Sequence, residues 1–333
     1  MWWRTARHHE GDSNAEATPP RAGCVVIADG MGMAAETLPY LISLSQWSLH
    51  RRMLGQKLPR ALRECAHFIR DKLQLAEPPR GLGLAALDFP VVARREFGLS
   101  AVEYIGYFYA PHVRSTPYLR ELKNRADGEG VRSLVVTCSS EGAIGHANSR
   151  KRRHVVAQHL KWLDMAAYLG CHSICVRADS SGTREEQAER VADGLHDLSE
   201  WAAPHGLNVL VENHYGLSSD SSWINDVIRR ADHPGIGTLP DWGNFSPAEG
   251  DRYEEVARMM PTARAVSAKC FDFDAEGRET TLDFQRLVSI IKHSSYRGHL
   301  GIEYEGDRLS EADGIKACKT LLERLQREPM VVA

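Results

Sequence analysis

Residues 208–217 read NVLVENHYGL, an apolar, β-branched run that stops at Glu212, Asn213 and His214 and then turns. A helical pattern closing at Gly206 precedes it and another, SSWINDVIRRAD (221–232), follows it. A short apolar run between amphipathic stretches is the mark of a strand in a parallel sheet covered by helices. Such a strand delivers its last polar side chains to the sheet's C-terminal edge.

The same alternation runs outward in both directions. Strand patterns fall at 42–50, 100–108, 132–139, 172–178, 208–214, 235–241, 263–271 and 299–306. Helical patterns fall at 89–97, 149–170, 184–206, 221–232, 251–260, 281–295 and 310–326. Eight strand patterns predict a closed (β/α)8 TIM barrel. An open doubly wound sheet would place a glycine-rich phosphate turn after its first strand, and SLHRRMLGQ (48–56) is not one. The expected organisation is a poorly ordered extension over 1–38 and a single barrel domain over 39–330. An insertion at about 54–86 carries an extra helix and a Pro/Gly-rich link.

Lys plus Arg number 41 against 44 Asp plus Glu, a net charge of -3, so the chain as a whole attracts neither nucleic acid nor an anionic membrane. The seven cysteines form no CxxC pair, which argues against a disulfide framework and a structural zinc site. No apolar stretch is long enough to span a bilayer. These features predict a soluble, cytoplasmic protein whose partner is a small molecule. The sequence leaves homo-oligomerisation open.

In a barrel, polar residues at strand C-termini face one cavity. Here they are Gln46, Trp47 and His50; Glu103; Glu141 and His146; Glu212, Asn213 and His214; Asp241 with Asn244; Ser267 and Lys269; Glu303 and Glu305. So many carboxylates repel one another unless a cation sits among them, a physical argument for a divalent metal. Carboxylates around a hard cation suit proton transfer beside a carbonyl, because the cation stabilises the enediolate while the carboxylates act as base and acid. Lys269 reads either as a counter-charge to the glutamates or as a group that orients substrate.

Eight stretches carry a resemblance in register over roughly residues 41–328. They are SLSQWSLH (43–50), LDFP (87–90), FGLSAVEY (97–104), QHLKWLDMAAYLGCHSI (158–174), VENHYGLSSD (211–220), GTLPDWGNF (237–245), AVSAKCFDFD (265–274) and GIEYEGDRLSEADGIKACKTLL (301–322). With them the chain resembles the sugar phosphate isomerase/epimerase family of the xylose isomerase-like TIM barrels. The resemblance implies the closed barrel, a divalent metal (Mn2+, Mg2+ or Zn2+), and isomerase or epimerase chemistry on a carbohydrate or its phosphate. It places metal ligands at Glu212, Asp241 and Glu303 together with a histidine on strand 7, and makes Glu212 and Glu303 the acid/base pair beside Lys269. From their positions at the mouth, His50, Trp47, Glu141, His214 and Asn244 are the candidate substrate-binding residues, with packing the alternative for His214, which follows the expected ligand Glu212 on the strand. Where the epimerases carry His-x-Lys on strand 7, this chain has Ser267-Ala-Lys269, and Asn244 stands where they often have histidine. A lyase that dehydrates a keto-polyol, or a non-catalytic sugar-binding barrel, is the alternative on the same scaffold.

Overall fold

The computed structural model describes residues 38–54, 83–138, 141–245 and 250–329. Within the chain, Pro39–Ala333 is one compact unit, distinct from Met1–Leu38. All of the expected extension over 1–38 except Leu38, and most of the expected insertion at 54–86, lie outside the described residues.

Eight parallel strands form the sheet: β1 Leu41–Ser45, β2 Ala101–Ile105, β3 Arg132–Thr137, β4 Ser173–Val176, β5 Asn208–Glu212, β6 Ile236–Leu239, β7 Val266–Cys270 and β8 His299–Tyr304. Their order is β6-β5-β4-β3-β2-β1-β8-β7. The two ends meet through isolated parallel bridges, Thr238 with Ala263 and Asp241 with Ser267. Across that seam Ser267 N donates to Pro240 O at 3.0 Å and Trp242 N to Ser267 O at 3.2 Å, closing the sheet into a barrel.

Among the described residues, the helices are α1 His50–Leu54, α2 Phe89–Phe97, α3 Thr116–Gly128, α4 Ser149–Leu169, α5 Arg184–Ala202, α6 Ser221–Ala231, α7 Arg252–Met259, α8 Phe284–His293 and α9 Glu311–Arg327. Capping side chains set their starts: Asn148, Thr183, Asp220, Asp251, Asp283 and Ser310 each accept a backbone N–H of the following turn.

Two elements depart from the sequence reading. The first strand ends at Ser45, and residues 46–49 turn as a 3-10 helix that runs into α1. Ser45 Oγ accepts Trp47 N at 3.4 Å, which offers the backbone a partner outside the ladder. Trp47 and His50 therefore stand on helical turns above the strand. Helix α3, between β2 and β3, lies where no helical pattern was assigned. It buries only Leu119, Leu122 and Ala126, a stripe too sparse to register as periodicity. Its signals are local: Ser115 Oγ accepts Tyr118 N, and Pro117 sits in the first turn.

The period-2 alternation of the strands separates two buried layers. Val209 and Val211 of β5 pack outward with the helices, whereas Leu210 joins Ala101, Leu134, Val135, Cys175, Leu239 and Ala265 in a second cluster. We identify that cluster with the barrel interior, since it gathers residues from successive strands apart from the helix-facing core. Two positions beyond Leu210 and Leu239 come Glu212 and Asp241, and beyond Ala265 come Ser267 and Lys269. The interior is thus apolar below and charged at the C-terminal mouth. Five of the seven cysteines are described, and all five are buried and unpaired.

Candidate active site

Lys269 stands at the centre of the mouth. Its Nζ donates to Asn244 Oδ1 at 2.8 Å and lies 3.1 Å from Glu303 Oε1, 3.4 Å from Glu305 Oε1 and 3.5 Å from Asp241 Oδ2. Only 6% of its side chain is exposed. The stem is seated on the turn after β6: a Cβ placed on Gly243 would lie 2.6 Å from Lys269 Cδ and 2.8 Å from its Cγ. The backbone of Gly243 is not left-handed, so this position is glycine for space alone.

The acids around the ammonium are each held by neighbours. Asp241 Oδ1 accepts Gly243 N at 2.8 Å and Asn244 N at 2.9 Å. Its backbone is clamped by the buried Asn213 side chain, whose Nδ2 donates to Asp241 O (2.9 Å) while its Oδ1 accepts Asp241 N (2.7 Å). Ser45 Oγ donates to Glu303 Oε2 at 2.8 Å. Asn244 Nδ2 donates to Glu212 Oε1 at 3.2 Å and to Asn213 O at 3.0 Å, so Asn244 links Glu212 to Lys269.

Crowding these groups out of water separates their proton affinities. Burial, then the charges of Asp241 and Glu303, push the Glu212 carboxyl well above the usual range. Burial raises Glu303 to about 7 against the pull of Lys269, and it raises Asp241 against the same pull. Burial also opposes a charge on Glu305, yet Lys269 and His50 outweigh it and hold Glu305 low. For Lys269 itself burial disfavours the cation, but Asp241, Glu305, Glu303 and Glu212 together keep it firmly protonated.

Glu212, Asp241, Asn244, Lys269 and Glu303 thus converge. Trp47 and His50 approach the cluster from the turn after β1: the Trp47 side chain hydrogen-bonds Glu305, and its ring stacks on His50 at 4.7 Å. His50 Nδ1 also lies 2.7 Å from Trp47 O and 3.7 Å from Glu311, the residue that opens α9. Glu141 is engaged by α4, through Lys161 Nζ at 2.8 Å and Trp162 Nε1 at 2.9 Å. His214 lies past the end of β5, edge-on to Tyr215 at 3.9 Å. His146 Nδ1 accepts Asn148 N at the start of α4.

Sequence reasoning placed Glu305 and Asn213 at the mouth without giving them a role, and it did not single out Ser45 and Gly243. Ser45 had a signal available, as a polar residue closing an apolar strand. The roles of Asn213 and Gly243 had none, because one acts across the β5–β6 boundary and the other through a side chain 26 positions away.

The donor set departs from the one expected for a divalent ion. Among the described residues no three His, Cys, Asp or Glu side chains come together as a cation-holding group. Strand β7 offers a serine hydroxyl at position 267, a weak ligand, and the ammonium of Lys269 lies among the oxygens of Asp241, Glu303 and Glu305. The residues present do not fit a divalent metal.

Comparison with known proteins gives consistent folds. The family described as xylose isomerase-like TIM barrel matches residues 92–327. A D-allulose 3-epimerase from Methylomonas sp. superposes with a TM-score of 0.61 at 12% identity, covering 86% of this chain and 98% of that one. A 3-keto-D-glucoside 4-epimerase from E. coli gives 0.60 at 16% identity, over 74% and 97%. In sequence, the C-glycoside deglycosidase alpha subunit of Arthrobacter globiformis is 26% identical over 172 residues, 47% of this chain. That match spans only 46% of the relative's own length. No described helix is long and apolar enough to cross a membrane.

Proposed function

The chain belongs to the xylose isomerase-like TIM barrel family, and from that premise we propose that it isomerises or epimerises a carbohydrate by proton transfer beside a carbonyl group. The observation that carries this reading is the pair of carboxyl groups from β5 and β8, Glu212 and Glu303, gathered with a single lysine ammonium. Burial raises both above the usual carboxylate range, Glu303 to about 7, where a carboxyl can give or take a proton near neutral pH.

In the reaction one carboxylate removes the proton from the carbon beside the carbonyl. The electron pair moves onto the carbonyl oxygen, and an N–H of Lys269 donates to that oxygen as its negative charge develops. The second carboxyl, protonated, then returns a proton to the opposite face of the same carbon in an epimerase; in an isomerase the proton goes to the former carbonyl carbon, while the neighbouring hydroxyl passes its own proton to the first oxygen and becomes the new carbonyl. Ser45 and Asn244 hold the two acids in place through the hydrogen bonds described above. Four acids around one lysine repel a phosphate, which favours an unphosphorylated substrate. The names of the two similar epimerases support the same class. Elimination begins with the same proton abstraction and then expels a leaving group; its support is the relative named for C-glycoside cleavage.

Incubating the protein in D2O with unphosphorylated ketoses and keto-glycosides tests the proposal. Deuterium is expected on the carbon beside the carbonyl in the recovered sugar, without loss of water or aglycone. Glu212→Gln and Glu303→Gln should each slow exchange by about 100-fold or more. Both variants exchanging at the parent's rate would remove the two acids from the mechanism, and stoichiometric loss of a leaving group would select the elimination.

A further inference from the structure

We infer that the Lys269 ammonium is itself the resident cation of this barrel, holding the place among Asp241, Glu303 and Glu305 that a divalent ion would need, so that the site operates without a metal.

Nζ already occupies the approach to the carboxylate oxygens that a second cation would need there. A manganese or magnesium ion draws its oxygen ligands in to about 2.1 Å. The Glu303 and Asp241 oxygens such an ion would use already face Nζ at 3.1 and 3.5 Å, and Glu305 faces it at 3.4 Å. Two cations sharing those oxygens would repel each other across a buried site, where charge interactions are weakly screened. Nor is the lysine poised to swing aside. Asn244 Oδ1 takes its hydrogen bond at 2.8 Å, and its Cγ and Cδ lie against the bare Cα of Gly243. That close approach is independent of charge, and it shows a turn shaped around this side chain. At position 267 the hydroxyl of serine supplies neither the basicity nor the reach of an imidazole.

The chemical consequence, which rests on the function proposed above, is that the substrate oxygen is polarised by a hydrogen-bonding monocation rather than by coordination. Cation binding itself is measured without substrate, so the two readings can fail separately.

The test is a calorimetric Mn2+ titration of the chelator-treated full chain, compared with Lys269→Met and with Lys269→Met/Asp241→Asn. Methionine keeps an unbranched stem over Gly243 while removing the charge. The parent is expected to show no saturable binding up to about 1 mM Mn2+. Lys269→Met should bind Mn2+ at least about tenfold more tightly, gain melting temperature from it, and lose both effects in the double variant. One equivalent of Mn2+ on the parent, removed by Asp241→Asn, would overturn the assignment. So would a folded Lys269→Met that binds no better than the parent. If Lys269→Met does not fold, the parent titration decides: absence of binding upholds the lysine as the resident cation and stoichiometric binding refutes it.

Discussion

Glu103 shows how a single buried acid couples this barrel to pH. It lies on β2 two positions beyond Ala101 of the interior cluster, accepts Ser43 Oγ at 2.7 Å, and sits so close over Gly301 that a Cβ there would meet its carboxyl oxygens. Burial pushes it up to about 7 from 4.5; Ser43 pulls it down in part, and the charge of Glu303 adds to the rise. The folded chain therefore holds this proton where the unfolded chain has released it. The contribution to stability is fully present below about pH 4.5 and is lost as pH rises through about 7. Glu103→Gln, which stays neutral, should flatten the parent's decline over that window, by up to about 3 kcal/mol. Urea midpoints of both proteins from pH 4 to 8 measure it, and parallel curves would show that Glu103 does not titrate in this range. At this scale the acids were legible, because a carboxylate ending an apolar strand is costly without a purpose. Their supports were not: Asn213 matters through the backbone of Asp241 and Ser45 through Glu303, contacts no local pattern contains.

At the scale of elements, the turn after β6 does more than connect. Residues 241–245, DWGNF, present Asp241 and Asn244 to Lys269 and lay Gly243 beneath its stem. Gly243→Ala should therefore act through Lys269: a methyl group 2.6 Å from its Cδ must displace the side chain. The expected outcome is a loss of turnover of about tenfold or more with only a modest fall in melting temperature, since about 1.4 kcal/mol of lost transition-state stabilisation is already tenfold. Unchanged turnover would mean that the lysine has another productive position. Helices α4, α5, α6, α8 and α9 were legible because each shows a dense apolar stripe and a capping residue. Helix α3 escaped for want of the first, and the end of β1 escaped because the Ser45 side chain, rather than a Gly or Pro, stops the strand.

For the whole molecule the seam between β6 and β7 is the place where closure is least supported. The other neighbouring strands pair through ladders, such as the five residue pairs from Val266–Leu300 to Cys270–Tyr304 that join β7 to β8. The β6–β7 edges share only isolated bridges, and Pro240 brings no N–H to them. Native-state hydrogen exchange should find the amides of Trp242, Arg264 and Ser267 opening before those of the β7–β8 ladder. Equal protection across both would show that the seam opens only with global unfolding. The seam also carries Asp241 beside Ser267, so closure of the barrel positions a residue of the site. The sequence by itself determined the eightfold repeat, the parallel sheet and the end of the barrel where the acids gather, because periodicity and strand-end chemistry are local properties. Only the tertiary structure decided that Lys269 lies among those acids, that Glu141 is engaged by α4, and that Trp47 and His50 reach Glu305 from a helical turn. Those outcomes depend on the direction of long side chains across strands distant in sequence, and closure of the barrel sets that direction.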